Sequence, residues 1–157
     1  MIYLDCEASG LEDESYPIEI AWLSTSGEQD SFLINPNTAS SWDFWSPEAE
    51  VIHGIPRDEC VQSGISIFDA VQRLNSQLRG EVIYCDAPAF DGFWLARLFA
   101  AAQVEPLFQI EHIALYFYDK QLDMKAWHSE RSQIKLDHRA LSDCKRSLDA
   151  GKNLNFW

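Results

Sequence analysis

One short stretch near the start of the sequence restricts the fold more than any other. The apolar residues "IYL" (2–4) lead into two carboxylates, Asp5 and Glu7, before the chain reaches Gly10. The pattern predicts a buried β-strand over residues 2–7, in which side chains two positions apart point to the same face. Two neighbouring anions on a buried strand are unfavourable unless a cation lies between them. The fold must therefore bring a cation or distant partner groups to this strand.

Further strands are predicted from short apolar segments between turn residues. The segment "PIEIAWLS" (17–24) is a second strand, and a third lies near residues 30–34. The connections between the first three strands are short, which indicates an antiparallel meander. We expect a fourth strand at "EVIYC" (81–85) and a fifth at "PLFQIEHI" (106–113).

Helices are predicted from apolar residues at helical spacing. Residues 46–60 indicate short helical turns, and "DGFWLARLFAAAQ" (91–103) is a helix after the fourth strand. The segment "DHRALSDCKRSLDAG" (137–151) is the last helix, with Asp137 as its candidate cap. An amphipathic helix at 66–80 presents one apolar face, formed by Phe68, Val71, Leu74 and Leu78.

The order of these elements defines a fold class. Three meander strands followed by two βα units predict one α/β domain over residues 1–157, built on a mixed sheet with helices on both faces. Ligands of such sheets bind at strand ends, which is where Asp5 and Glu7 are expected.

Composition excludes several classes of protein. With 12 basic and 25 acidic residues the formal charge is −13, which argues against a broad surface that tracks phosphates and against binding to anionic membranes. No apolar run approaches the roughly 18 residues of a membrane span, and no export signal is evident, so we expect a cytoplasmic protein. The four cysteines show no CxxC pairing and are expected to be reduced thiols.

Later segments supply groups that could converge on the first strand. Asp86 and Asp91 follow the fourth strand in "YCDAPAFDGFWL", and His138 precedes Asp143 in "HRALSDC". A lone carboxylate such as Asp143, among the leucines of a helix, would be costly to bury without a partner. Clustered carboxylates suit Mg²⁺ or Mn²⁺, and a nearby histidine can accept a proton from water at neutral pH. The combination fits metal-assisted hydrolysis of a phosphodiester by two ions.

Three motifs resemble those of the DEDDh 3′–5′ exonucleases, the superfamily of proofreading exonucleases, ribonuclease T and oligoribonuclease. "LDCEASGL" resembles the first motif, "FDGFWL" the second, and "HRALSDC" the third, in its ribonuclease T-like form. Weaker landmarks, "EIAWLS", "INP" and "VIHGIP", follow in the family's order. The resemblance covers residues 2 to 149 and implies a ribonuclease H-like fold.

The resemblance also implies a role for each matching residue. Two divalent ions, Mg²⁺ or Mn²⁺, would be held by four carboxylates, and His138 would be the general base. The backbone from residue 8 to residue 11 would line the pocket for the terminal nucleotide, where Gly10 permits a close approach and Leu11 packs against a base. The implied metal ligands are Asp5, Glu7, Asp91 and Asp143, and the implied substrate-binding residues include Ser9, Gly10 and Leu11.

One position departs from the family's pattern. Where the family usually has a His-Asn pair before the second-motif aspartate, this sequence has Asp86-Ala87. Asp86 either supports a metal-bound water or is a solvated turn residue. We favour the solvated turn, which leaves the ligand role to Asp91.

Several further predictions concern the substrate and partners. Trp45, from the aromatic loop "WDFWSP", is expected to touch substrate, whereas His53 is expected to be structural. The favoured function is a 3′–5′ exonuclease acting on single-stranded RNA, with a DNA exonuclease or a silent nucleic-acid-binding module as alternatives. A homodimer would explain how an acidic chain attracts a polyanion if a second subunit supplied one of four cations. These candidates are Arg57, Arg131, Lys135 and Arg139.

Overall fold

The computed structural model describes residues 1–157 and contains five strands and seven α-helices. The strands are β1 (Ile2–Ala8), β2 (Pro17–Ser24), β3 (Gln29–Leu33), β4 (Val82–Cys85) and β5 (Gln109–His112). The helices are α1 (Pro47–His53), α2 (Arg57–Ser63), α3 (Ile67–Leu78), α4 (Asp91–Ala102), α5 (Ile113–Lys120), α6 (Met124–Gln133) and α7 (Ala140–Asn153). A short 3-10 helix covers Pro36–Thr38.

The five strands form one mixed sheet in the order β3-β2-β1-β4-β5. The strand β2 is antiparallel to both β1 and β3, whereas β4 is parallel to both β1 and β5. This confirms the predicted meander followed by two βα units. The strand β1, which carries the first two acids, therefore lies at the centre of the sheet.

Helices cover both faces of the sheet, so two cores form. On one face, Leu4 and Cys6 of β1 pack in the core that includes α3 and α4. On the other face, Tyr3 packs in a smaller core with Trp127 of α6 and Cys144 of α7. Because side chains alternate along a strand, Asp5 and Glu7 point to the same side as Tyr3, toward α7.

The helix α3 forms where it was predicted, but the prediction of its buried face was partly wrong. Ser66 accepts the backbone N–H of Asp69 as the N-cap, and Gly80 follows the helix with a φ of 78°. Phe68, however, is 56% exposed. It lies about 100° around the helix from Ile67, at the margin of the buried stripe. The residues of α3 that are buried are Ile67, Ala70, Val71, Leu74, Asn75 and Leu78.

The last helix begins later than predicted. The helix α7 starts at Ala140, so Asp137 is not its cap. The Asp137 carboxylate instead accepts the Ser142 hydroxyl at 3.0 Å and pairs with Lys135 at 2.6 Å. Between Asp137 and the helix, His138 has a left-handed backbone with a φ of 51°. The third motif therefore spans a turn and the first helical residues, not one continuous helix.

The structure also describes the cysteines and the apolar character of the helices. All four cysteines are buried free thiols, as predicted. None of the helices combines the length and the apolar character required to cross a bilayer.

Candidate metal centre

Five carboxylates gather at the end of β1, in two groups of three that share Asp5. In each group one oxygen from every residue lies within 4.8 Å of the others. We call Asp5, Glu7 and Asp143 the open half of the centre, and Asp5, Asp86 and Asp91 the paired half. The four acids that the resemblance implied as ligands are thus brought together, and Asp86 joins them.

The open half depends on β1 and the first turn of α7. Asp143 is one of the residues in that turn, and its side chain is 5% exposed. Its Oδ1 atom is buried and has no hydrogen-bond partner in the protein. A buried carboxylate oxygen without a partner is costly, and few native groups are left this way without a functional reason. The arrangement fits a site that takes a ligand of positive charge.

The paired half depends on the turn after β4 and on the start of α4. Asp91 is the first residue of α4, where carboxylates are favoured by the helix dipole. Its Oδ1 accepts the backbone N–H of Cys6 at 3.2 Å, which ties α4 to β1. Asp91 is therefore held beside Asp5 by contacts within the protein.

The proximity of these acids raises their pKa values. Burial, followed by repulsion from Asp91 and Glu7, raises the pKa of Asp5 well above its usual range. Burial and the Asp143 charge raise the pKa of Glu7 to about 8. Burial and the Asp86 charge raise the pKa of Asp91 to about 7. These carboxyls retain protons to higher pH values than isolated carboxyls do, because burial and mutual repulsion disfavour their charged forms.

Asp86 is more than the solvated turn residue that the sequence suggested. Its carboxylate forms an ion pair with the guanidinium of Arg131, and the two side chains are 25% and 13% exposed. The Arg131 guanidinium also lies 5.1 Å from the centre of the Trp127 ring. The sequence made Arg131 one of four candidates for a cation supplied by a second subunit, whereas the structure pairs it with Asp86 of its own chain. The only signal in the sequence is its helical spacing from Trp127.

His138 is a neighbour of Asp143 in the open half. Burial raises the pKa of Asp143, and the neighbouring His138 imidazole acts in the opposite direction. His138 is partly exposed, so its ring is in reach of solvent. Its left-handed backbone is uncommon for a residue other than glycine, although histidine adopts it more often than most.

The predicted substrate-binding residues divide into buried and accessible ones. Ser9 is fully buried, and its side chain accepts the backbone N–H of Tyr16 at 3.2 Å. Gly10 permits a close approach, but by the Phe44 ring, which a Cβ at Gly10 would meet at 2.5 Å. Leu11 is 70% exposed and open to a ligand. These positions fit a scaffold made by Ser9 and Gly10 that presents Leu11.

Trp45 and His53 form one wall near the end of β1. The Trp45 ring is partly exposed and donates its Nε1–H to Glu50 at 2.6 Å. It meets the His53 ring edge-on, with centroids 6.2 Å apart. His53 is buried, accepts the backbone N–H of Ile55 at Nδ1, and leaves Nε2 without a partner. The hydrogen bond at Nδ1 agrees with the structural role predicted for His53, whereas Nε2 makes no hydrogen bond.

The four candidate cations all have partners within the chain. Arg57 donates to Asn37, Arg131 pairs with Asp86, Lys135 with Asp137, and Arg139 with Glu19. The last partner was missed by sequence reasoning, although a single acid within the apolar strand "PIEIAWLS" was a signal for it. Glu19 is 4% exposed and lies directly opposite Glu7 across β1 and β2.

Comparison with solved structures places this architecture among known folds. E. coli exonuclease I in complex with a dA16 oligonucleotide aligns with 99% of the chain at a TM-score of 0.74 and 16% identity. Its complex with a dT13 oligonucleotide aligns at a TM-score of 0.72 and 16% identity, over 98% of the chain. Exonuclease I from Methylocaldum szegediense aligns over 99% of the chain, with a TM-score of 0.71 and 15% identity. The chain shares the exonuclease I fold.

That fold is the ribonuclease H-like architecture that the sequence predicted. Exonuclease I belongs to the DEDDh 3′–5′ exonuclease superfamily, the group whose motifs the sequence resembles. This chain covers only 40% of the length of each of these three exonuclease I chains. The rest of each exonuclease I chain has no counterpart here. No family model matches the sequence, and no curated protein matches it.

Proposed function

We propose that the chain is a single exonuclease domain that removes nucleotides from the 3′ end of single-stranded nucleic acid with the help of divalent metal ions. The observation that carries the proposal is the buried Oδ1 of Asp143, which has no partner and lies within the carboxylate cluster. The fold shared with exonuclease I supports the same conclusion. So does the appearance of the three motifs in order along the sequence.

The residues present fit divalent metal ions. The centre offers only carboxylate oxygens, which are the ligands that Mg²⁺ and Mn²⁺ prefer. Asp5, Glu7, Asp91 and Asp143 would hold two ions, with Asp5 between them. Burial and mutual repulsion raise the pKa values of these carboxyls, and a bound cation would favour their ionised forms. Bound ions would polarise the phosphodiester and offset the charge on the departing oxygen.

The reaction then depends on His138 for its proton transfer. His138 accepts a proton from a water molecule as that water attacks the phosphorus of the last phosphodiester. The bond from phosphorus to the 3′ oxygen of the preceding nucleotide breaks, and that oxygen takes up a proton from solvent. The products are a nucleoside 5′-monophosphate and a strand shorter by one residue.

Two observations bear on the sugar of the substrate, and they favour different answers. The third motif resembles ribonuclease T, which favours RNA. The solved structures with this fold that hold oligonucleotides hold single-stranded DNA, which favours DNA for those proteins. We propose RNA as the first substrate, with DNA as the alternative. Leu11 and Trp45 would contact the terminal base by apolar packing and stacking.

The experiment is product analysis of 5′-labelled single-stranded RNA and DNA of one sequence. Each is incubated with Mn²⁺, Mg²⁺ or a chelator, for the wild type and for His138→Ala. We expect a metal-dependent ladder that shortens from the 3′ end, slowed about 10²- to 10⁴-fold in His138→Ala. The faster substrate identifies the sugar.

Two outcomes would overturn the proposal. Uncleaved RNA and DNA in every metal condition, with tight binding of the strand, would identify a binding module. A ladder that is equally fast in His138→Ala would remove the general base from the mechanism. Asp30→Asn is a suitable control, because Asp30 binds Arg73 on the opposite face of the sheet.

A further inference from the structure

A buried acid outside the motifs holds the segment that carries His138. The Glu19 carboxylate accepts three hydrogen bonds from the Arg139 side chain, two from Nε at 3.3 Å and 3.1 Å and one from Nη2 at 2.7 Å. Its Oε2 also accepts the backbone N–H of Ala140 at 2.9 Å. One carboxylate therefore fixes both the side chain before α7 and the first residue of α7.

The contact between Glu19 and Arg139 requires a buried negative charge on β2, which is unfavourable beside the other acids. Glu19 lies opposite Glu7 on the central strands, so the fold places another anion next to the metal centre. Residues directly opposite on antiparallel strands are close neighbours, and like charges there are destabilising. A hydrophobic residue at position 19 would remove this repulsion. A functional reason for keeping an acid there is the group it holds.

The group next to the contact is His138. Its backbone has a φ of 51°, a strained conformation for a residue with a side chain, which persists only where the surroundings enforce it. The residues on either side of it are both anchored, Asp137 by Ser142 and Arg139 by Glu19. Fixing Arg139 and Ala140 determines where α7 begins, and hence the direction in which His138 and Asp143 project.

We propose that Glu19 is a positioning residue that acts through Arg139 to hold His138 over the open half of the centre. The inference rests on the proposed function, because it assigns a purpose to the orientation of the general base. Glu19 itself does not belong to either carboxylate group. It contributes order at the start of α7, and its charge is offset by the guanidinium of Arg139.

The decisive experiment is a double-mutant cycle between Glu19→Gln and His138→Ala, measured as kcat for 3′-end shortening. Glu19→Gln keeps the shape and one acceptor but loses the charge-assisted contact with Arg139. We expect it to lower kcat about 10²-fold in the wild type, as a misplaced catalytic group does. In the His138→Ala background we expect almost no further loss, because the group that Glu19 positions is gone.

The chain offers a closely matched control. The ion pair between Asp30 and Arg73 also joins a strand to a helix, with side chains 11% and 41% exposed against 5% and 45% for Glu19 and Arg139. Asp30→Asn should therefore disturb folding to a similar extent while leaving kcat unchanged. Arg139→Lys keeps the positive charge without the forked contact, so it should lower kcat less than Arg139→Met, which removes both.

An NMR measurement that does not depend on catalysis tests the positioning of His138 separately from the proposed function. The ring proton resonances of His138, identified by their loss in His138→Ala, should shift or broaden in Glu19→Gln and remain in place in Asp30→Asn. If they do so while no nucleic acid is cleaved by the wild type, the proposed function fails and the positioning stands. Unchanged resonances, or equal losses of kcat in both backgrounds of the cycle, would overturn the role of Glu19.

Discussion

The two halves of the carboxylate centre share Asp5 but differ in how the protein deals with their charge. In the paired half the chain supplies its own cation, because Arg131 forms an ion pair with Asp86. In the open half Asp143 keeps a buried oxygen without a hydrogen-bond partner. The paired half thus contains an ion pair formed within the chain, whereas the proposed function requires a bound cation to contact the unpartnered oxygen of the open half.

The difference also follows the sequence motifs. The acids of the open half match the first and third motifs, and the departure from the family's pattern, Asp86, falls in the paired half. Asp86 is an anion at a position where the family's pattern usually has a His-Asn pair, and in this chain it forms an ion pair with Arg131.

The largest expected effect comes from the residue that both halves share. Asp5→Asn removes one carboxylate from each half, so both should lose affinity for metal. The loss of several kcal/mol of transition-state stabilisation corresponds to a fall in activity on the order of 10³-fold. Measured kcat at saturating Mn²⁺ tests this, with Asp30→Asn as the control. Activity within threefold of the wild type would show that the halves do not act through Asp5.

A smaller effect, on the affinity for Mn²⁺, is expected when Arg131 is removed from the paired half. Arg131→Met removes the guanidinium but keeps much of its apolar volume, which leaves Asp86 without its cation. A nearby positive charge opposes the binding of a second one, so its removal should tighten Mn²⁺ binding about tenfold. Isothermal titration with Mn²⁺ measures the change. Unchanged or weaker binding in this variant would mean that Arg131 does not compete with metal for the paired half.

The fold was more predictable from the sequence than the site's charge balance. Strands and helices of the βα units follow from local apolar periodicity, so β1, β2, β4, α3 and α4 were found with boundaries close to the real ones. The left-handed turn at His138 was missed, since local sequence suggested that the helix continues back to Asp137. One of the residues beside it, Arg139, is held by Glu19, which is distant in sequence.

The four acids that the motifs implied as ligands are brought together by the fold, because Asp5 and Glu7 share one face of β1 and the first turns of α4 and α7 lie beside it. Their partners were harder to foresee. Glu19 and Arg139 are 120 residues apart, and Asp86 and Arg131 are 45 apart. No local pattern records such pairings. The prediction that Phe68 is buried was wrong for a simpler reason. A residue at the margin of an apolar stripe can be exposed without breaking the periodicity.

The stability of the metal-free protein is also expected to depend on pH. Glu7 ionises with a pKa of about 8 in the folded chain, and ordinarily near 4.5. The folded state therefore binds more protons than the unfolded state between these values, and its stability falls as pH rises through that window. The Tm without metal should decrease between pH 5 and pH 8, by about 2–4 °C for each kcal/mol lost.

Added Mn²⁺ should remove this dependence, because the ion replaces the protons that the carboxyls otherwise retain. Differential scanning calorimetry at four pH values, with and without Mn²⁺, measures both slopes. The Glu7→Gln variant is the matched control and should show a flatter slope without metal. A Tm that rises with pH in the metal-free wild type would contradict the raised pKa of Glu7.

The most direct test of the account is whether the open half takes up a divalent cation. Mn²⁺ is titrated into the wild type and into Asp143→Asn at pH 7, and both the heat and the number of protons released are measured. The account predicts saturable binding with release of protons by the wild type, and weaker binding with fewer protons released by Asp143→Asn. Equal binding by the two proteins, or none by the wild type at millimolar Mn²⁺, would contradict the assignment of the centre.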